Sequence, residues 1–177
     1  PDFHPNPNRP VRALALAGST LYLGGEFTTV GGQTRAHLAA LDSVNGAVLP
    51  WNPGADNAVY ELLLSGETLY LGGRFLQAGG ADRTRVAALS TTANTALPWA
   101  PQLDDGDVLA LGLLQDRVVV GGTFNVAGGL ARNGLAAFNA VTGQVDTNWN
   151  PNPRDGVGLG GKVTSLRVSC DTVYVGG

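Results

Sequence analysis

One short motif recurs along the chain, and this repetition limits the possible folds more than any other feature. The motif is an apolar triplet followed by two glycines, and it occurs as LYLGG, LYLGG, VVVGG and VYVGG. The glycine pairs begin at Gly24, Gly72, Gly121 and Gly176, in steps of 48, 49 and 55 residues. A unit of this length cannot bury its apolar faces alone and needs a neighbouring unit on each side. The sequence therefore predicts an array of similar units.

Other residues recur in the same register. A valine lies 13 residues before each glycine pair, and an arginine and then a tryptophan follow each of the first three pairs. The recurring residues that we select as structural or binding candidates are the glycines Gly24, Gly25, Gly72, Gly73, Gly121 and Gly122, the tryptophans Trp51, Trp99 and Trp149, and the arginines Arg35, Arg83 and Arg132.

The apolar residues within a unit alternate or form short runs, which is typical of β-strands. In the first unit these stretches are VRALAL, LYLGG, LAALD and AVLPW, and turn residues such as Asn45-Gly46 separate them. The proline of the last stretch has no N–H and places that stretch at a sheet edge. The sequence thus predicts an all-β fold with four antiparallel strands in each unit of about 48 residues, as in the blades of a β-propeller.

The repeat register also predicts the domain organisation. Residues 1–10 correspond to the last strand of a preceding unit, residues 11–58, 59–107 and 108–162 are complete units, and residues 163–177 are the first two strands of a further unit. About 3.5 blades cannot close a ring, because propellers have at least about four. We therefore expect the chain to be a segment of a longer propeller, or a second chain to complete the ring.

Composition narrows the functional classes. The net charge is −3 and the basic residues are scattered, so we do not expect nucleic-acid binding. No apolar run is long enough for a membrane-spanning helix, so we expect no membrane insertion. The lone cysteine, Cys170, lies in a predicted turn, and either a partner cysteine elsewhere or an unreactive thiol fits the sequence equally well.

The pattern V-x-A-L-A-L, L-Y-L-G-G-x-F, L-A-A-L-D and L-P-W-N-P resembles the delta-60, or WNP-type, propeller repeats of bacterial surface and secreted proteins. The stretch AALDSVNGAVLPW is also similar to the blade signature of quinoprotein (PQQ-like) propellers, although no motif for their cofactor ligands is present. The resemblance implies an extracellular, cell-surface or periplasmic location. The motifs are specific for the fold and not for a function, and we expect a non-enzymatic scaffold that binds protein or glycan and carries no cofactor. A quinoprotein-type oxidoreductase domain and a structural part of a larger extracellular assembly are the alternatives.

The recurring arginines have two interpretations. Arg35, Arg83 and Arg132 end the segment between the second and third strands, close to the loops that carry Asp56, Asp105 and Asp155. We expect structural Arg–Asp pairs or bonds to carbonyls, because a feature present in every unit serves the fold. The alternative is a ring of arginines that binds an anionic ligand.

The glycines and tryptophans are predicted to be structural. We expect each glycine pair to permit a bulge and a close approach by the next unit, and each tryptophan to be buried against its neighbour. No catalytic residue and no metal site is predicted, because no nucleophile, Cys/His or calcium motif occurs.

Overall fold

Similar antiparallel sheets, one for each repeat, make up the chain. The computed structural model describes residues 3–153 and 161–177. The strands of the first unit are β1 (Val11–Ala17), β2 (Thr20–Gly25), β3 (Thr29–Val30), β4 (Gln33–Thr34) and β5 (Leu38–Asp42). Those of the second are β6 (Val59–Ser65), β7 (Thr68–Gly73), β8 (Gln77–Ala78), β9 (Ala81–Asp82) and β10 (Val86–Ser90). The third unit contains β11 (Val108–Leu114), β12 (Arg117–Gly122), β13 (Val126–Ala127), β14 (Leu130–Ala131) and β15 (Leu135–Asn139), and the fourth contains β16 (Ser165–Ser169) and β17 (Thr172–Gly176).

The three complete units have one topology. Their sheets have the orders β1-β2-β5, β6-β7-β10 and β11-β12-β15, all antiparallel, and β16 pairs with β17 in the same way. The regular structure of the described residues consists of strands, and no helix among them is long and apolar enough to cross a membrane. The prediction of an all-β repeat fold is confirmed.

The prediction of four strands in each unit is wrong. The fourth stretch forms one isolated bridge to the third strand, at Val48, Ala96 and Val145 in the three units. Pro50 and Pro98 follow in the first two units and lack the N–H that would continue the ladder. In addition, the carbonyl of Leu49 accepts a hydrogen bond from an arginine side chain. The sheets therefore contain three strands, and the fourth stretch lies along their edge.

The segment between the second and third strands forms a small hairpin that the sequence analysis did not predict. The pairs are β3–β4, β8–β9 and β13–β14, each of two residues per strand. A glycine pair connects the two strands of each hairpin, and both glycines of the first one, Gly31 and Gly32, have positive φ. Glycine adopts this conformation without the steric penalty of a Cβ atom, so a two-residue connection is possible.

Successive units pack through two different faces. The leading face of a unit carries leucines of its first strand, such as Leu62, and the trailing face carries the first glycine of each pair, such as Gly24. One core cluster joins the trailing face of the first unit to the leading face of the second, and two further clusters join the second unit to the third and the third to the fourth. Every contact between units is therefore of the same heterologous kind.

The first glycine of each of the first three pairs lies against the recurring valine of the next unit. An ideal Cβ added at Gly24 would lie 2.8 Å from Cγ1 of Val59, and one at Gly72 would lie 2.5 Å from Cγ1 of Val108. The second glycine is equally constrained, because a Cβ at Gly73 would collide with the carbonyl oxygen of Ala58. The first strand also has a bulge opposite each of the first three pairs. Close approach and bulge are both as predicted for these glycines.

Candidate functional site

The recurring arginines join the hairpin segment to the outer edge of each sheet. Arg83 donates through Nη1 to the carbonyl of Asp82 and through Nη2 to that of Leu97, both at 2.7 Å. Arg35 and Arg132 are buried and make equivalent bonds. The acceptors of Arg35 are the carbonyls of Thr34 and Leu49, and those of Arg132 are the carbonyls of Ala131, Asp146 and Thr147. The expected bonds to carbonyls are present, and these three guanidinium groups serve the fold.

The expected Arg–Asp pairs are not formed by the described aspartates. Oδ1 of Asp56 accepts hydrogen bonds from the backbone N–H groups of Leu76 and Gln77, and Asp105 accepts one from that of Asn125. The bond from Asn125 lowers the pKa of Asp105 below its ordinary value. These carboxylates cap hairpin amides that face the preceding loop, while the arginines extend toward the sheet edge. Asp155 lies outside the described residues.

Two of the three tryptophans are buried between units. Trp51 and Trp99 each pack edge-on against a tyrosine of their own sheet, with ring centroids 5.0 Å apart. The indole N–H of Trp51 donates to the carbonyl of Ser90 at 3.0 Å, which belongs to the next unit. Trp99 makes the same bond to Asn139 at 2.9 Å. Their predicted burial is confirmed.

Trp149 is less buried than the other two tryptophans, although it also packs against a core cluster between units. The acceptor of the other two indoles is a carbonyl in the turn after the third strand of the next unit. In the fourth unit the described strands are the first two, β16 and β17. Trp149 therefore packs beside the core of the third and fourth units without that bond.

A cleft that the sequence analysis missed lies where the four units meet. It has a volume of about 420 Å³. The residues that line it are Arg12, Glu26, Tyr60, Asp107, Leu109 and Thr164. Four of them, Arg12, Tyr60, Leu109 and Thr164, occupy the same repeat position, one residue after the recurring valine. We call this the central cleft.

Both carboxylates that line the central cleft, Glu26 and Asp107, form ion pairs. Nε of Arg12 lies 2.9 Å from Oε1 of Glu26, within the first unit. The second pair joins Arg74 to Asp107, the last residue of the second unit, with Nε 3.1 Å from both carboxylate oxygens and Nη2 2.7 Å from Oδ2. This side-chain hydrogen bond to Asp107 raises the pKa of Arg74 above its ordinary value. The fork-like pair fixes two charged groups at the rim of the cleft.

The cleft residues differ from unit to unit, whereas the structural residues are the same in each. The position after the glycine pair is Glu26, Arg74 or Thr123 in the three complete units, and the position after the valine varies as widely. A comparison of the repeats for charged positions that vary could have identified this site from the sequence. The search for recurring residues selected the structural positions instead.

The arrangement is suited to binding. Guanidinium forks and carboxylates bond hydroxyl, carboxylate and amide groups, the ring of Tyr60 offers a flat apolar surface, and Thr164 adds a hydroxyl. Among residues 3–153 and 161–177, no cluster of three or more His, Cys, Asp or Glu side chains could hold a metal ion.

Comparisons with known proteins identify the fold. No protein-family model matches the chain, and neither does any curated protein. The computationally designed Ika4 protein is similar in structure, with a TM-score of 0.64 and 18% identity over 98% of this chain and 88% of Ika4. The computationally designed Ika8 protein has a TM-score of 0.61 and 19% identity over 93% of this chain and 42% of Ika8. At these identities the likeness shows a shared repeat β-fold and nothing about activity.

A third solved structure, BamB from Moraxella catarrhalis, covers 93% of this chain and 79% of its own at 12% identity. Its TM-score is 0.34, which is too low to carry an argument.

Proposed function

We propose that the chain is part of a β-propeller of the delta-60, or WNP, type, and that it is a non-enzymatic scaffold that binds protein or glycan in the central cleft. The resemblance of its repeats to those of bacterial surface and secreted proteins supports an extracellular, cell-surface or periplasmic location. The observation that carries the proposal is the central cleft itself, because residues from all four units line it.

The cleft supports a radial arrangement of the units. Packed sheets are about 10 Å apart, so a straight stack would separate the first unit from the fourth by about 30 Å. Arg12 of the first unit and Thr164 of the fourth nevertheless line one cleft of about 420 Å³. This supports our inference that the inner strands surround a common axis, as the strands of propeller blades do.

The different roles of the recurring residues and of the residues that vary between units support ligand binding at this axis. The recurring glycines, arginines and buried tryptophans are all engaged in contacts within or between units. The charged and aromatic residues that vary between units converge on one end of the inner strands. A scaffold of this kind keeps its packing residues constant and changes the side chains that face the ligand.

Arrays of surface glycans and of peptides, probed with the purified chain, test the proposal. We expect Arg74→Ala to lower the binding signal at least about tenfold, since loss of a charge-assisted bond costs about 1.5–3 kcal/mol. Tyr60→Ala should also lower it, because the substitution removes the flat apolar surface of the ring. Arg117→Ala is the matched control, because Arg117 pairs with Asp146 at 2.9 Å at the opposite end of the strands. Equal binding by the cleft variants and the control would exclude the cleft as the binding site.

A further inference from the structure

Two positive and two negative side chains are held close together at the central cleft. Arg12 pairs with Glu26, and Arg74 pairs with Asp107. The hydrogen bond and the charge of Asp107 raise the pKa of Arg74 most, and the charge of Glu26 adds to this shift, so the two pairs lie within range of each other's field. The four charges therefore alternate in sign and sum to zero.

The ion pairs leave hydrogen-bonding groups that a ligand can reach. Arg12 donates through Nε and Nη2 to the same carboxylate oxygen, Oε1 of Glu26, which leaves Nη1 and Oε2 beside each other within the described part of the chain. Arg74 uses Nε and Nη2 for Asp107, which leaves its Nη1. The side chains of Arg12 and Arg74 are 50% and 59% exposed. A hydroxyl group, which donates and accepts, can bond both members of such a pair.

Tyr60 adds a half-buried aromatic ring to the same cleft. Arg12, Leu109 and Thr164 hold its repeat position in the other units, so the ring belongs to this site and not to the repeat. The face of an aromatic ring is partially negative and attracts partially positive hydrogens, such as those on the carbons of a sugar ring. Charged groups that bond hydroxyls thus lie beside a surface for the apolar face of a sugar.

The size of the cleft favours a sugar over a protein. A standard protein interface buries about 800 Å² on each partner and involves about 20–30 residues a side. Here six of the described residues line a volume of about 420 Å³, which is within the range of about 300–1,000 Å³ for small-molecule sites. Peptides are recognised by free strand edges, apolar grooves or clusters of arginines that bind phosphate. The arginines of this cleft are instead paired with carboxylates.

The ion pairs also favour a ligand without net charge. A carboxylate or sulfate group of a ligand would compete with Glu26 and Asp107 for the guanidinium groups, and a cationic group would compete with the arginines. A hydroxyl group bonds beside the paired charges without separating them. Paired charges thereby select against charged competitors as well as for a neutral partner.

We propose that the central cleft binds one or two residues of a neutral glycan. Hydroxyl groups of the sugar bond to the two ion pairs, and the C–H face of its ring packs on Tyr60. The proposal rests on the function proposed above, because it names the ligand class of the same cleft. The five side chains that carry it all belong to the first and second units.

The arrays of glycans and peptides, probed with the original chain and with Arg74→Ala, provide the first test. We expect the signals that depend on Arg74 to come from neutral glycans, and the same glycans capped with sialic acid or sulfate to bind at least about tenfold less. Calorimetric titration with the best neutral glycan should give a dissociation constant between about 10 µM and 10 mM, as for other ligands of few atoms. Because the ligand is uncharged, raising the salt concentration from about 0.05 to 0.5 M should change this constant less than about threefold.

Glu26→Gln distinguishes a neutral ligand from an anionic one. The amide keeps the shape of the side chain but leaves Arg12 without its counter-charge. We expect the affinity for the neutral glycan to fall at least about threefold and that for its sialylated form to rise. Arg117→Ala removes an ion pair at the opposite end of the strands and is the matched control, with unchanged affinity for both glycans.

Tyr60→Ala should weaken binding of the neutral glycan more than Tyr60→Phe does, because phenylalanine keeps the ring. Equal losses in these two variants, or a higher affinity of Glu26→Gln for the neutral glycan, would overturn the proposal. Signals that depend on Arg74 but come from peptides or charged glycans would overturn it and leave the proposed function standing. If no glycan or peptide signal depends on Arg74, the proposed function falls with it.

Discussion

Replacing Gly72 with alanine adds one methyl group at the contact between the second and third units. An ideal Cβ there lies 2.5 Å from Cγ1 of Val108 and 3.3 Å from its Cβ. Carbon atoms in good contact are about 3.5–4.0 Å apart, so the methyl group overlaps Val108 by about 1 Å. Val108 is fully buried, and a β-branched side chain has few χ1 alternatives, so the overlap requires movement of the third unit.

Overpacking of this kind costs about 1–3 kcal/mol, and we expect Gly72→Ala to lower the free energy of unfolding by about 2–3 kcal/mol. Gly176 offers a control at the same repeat position. The nearest atom to its added Cβ is Oγ of Ser165 at 2.7 Å, at the end of a short side chain that can rotate away. We expect Gly176→Ala to be neutral, or to stabilise by about 0.4–1 kcal/mol through the lower entropy of the unfolded chain.

Urea denaturation followed by circular dichroism measures both changes, and a double-mutant cycle assigns the cause. If the overlap with Val108 is responsible, Gly72→Ala with Val108→Ala should cost at least about 1 kcal/mol less than the sum of the two single changes. The reasoning is refuted if Gly72→Ala costs under about 0.5 kcal/mol, or if Gly176→Ala costs as much as Gly72→Ala.

Two further predictions concern the other side chains at contacts between units. Trp99→Ala should cost about 3–5 kcal/mol in urea denaturation, and Trp149→Ala at least about 1.5 kcal/mol less, because Trp149 is half-buried and lacks the bond to a following unit; equal losses would contradict this. Burial raises the pKa of Glu61 to about 7 from an ordinary 4.5, so the folded state favours its protonated form. Stability should therefore fall as the pH rises from about 4.5 through 7, by about 1–2 kcal/mol after solvent screening, and Glu61→Gln should remove this part of the pH dependence.

The repeat register was sufficient to predict the first three strands of a single unit. The contacts that form a unit join residues close in sequence, such as β1 to β2 and Arg83 to the carbonyl of Leu97. Periodicity and turn residues report these local contacts directly. The all-β class, the three paired strands and the structural role of the glycines were therefore predictable.

Some local details were not predictable, because two arrangements satisfied the same pattern. The sequence places Asp56 and Arg83 in neighbouring segments, and either a salt bridge or two separate sets of backbone bonds would pair their polar groups. The fold contains the two separate sets of backbone bonds, since Asp56 faces the amides of the hairpin and Arg83 faces the sheet edge. The sequence also predicted a fourth strand, whereas in the structure the pairing of the fourth stretch stops after one bridge.

The central cleft and the burial of each leading face depend on how the units are arranged in space. Arg12 and Thr164 are far apart in sequence, and only the packing of the units brings them to the same cleft. Leu14 and Leu62 have the same residue type in the same repeat position, yet one is 60% exposed and the other 6%. Sequence pattern assigns both to an apolar face, but burial depends on whether another unit covers that face, and this is a property of the packed array.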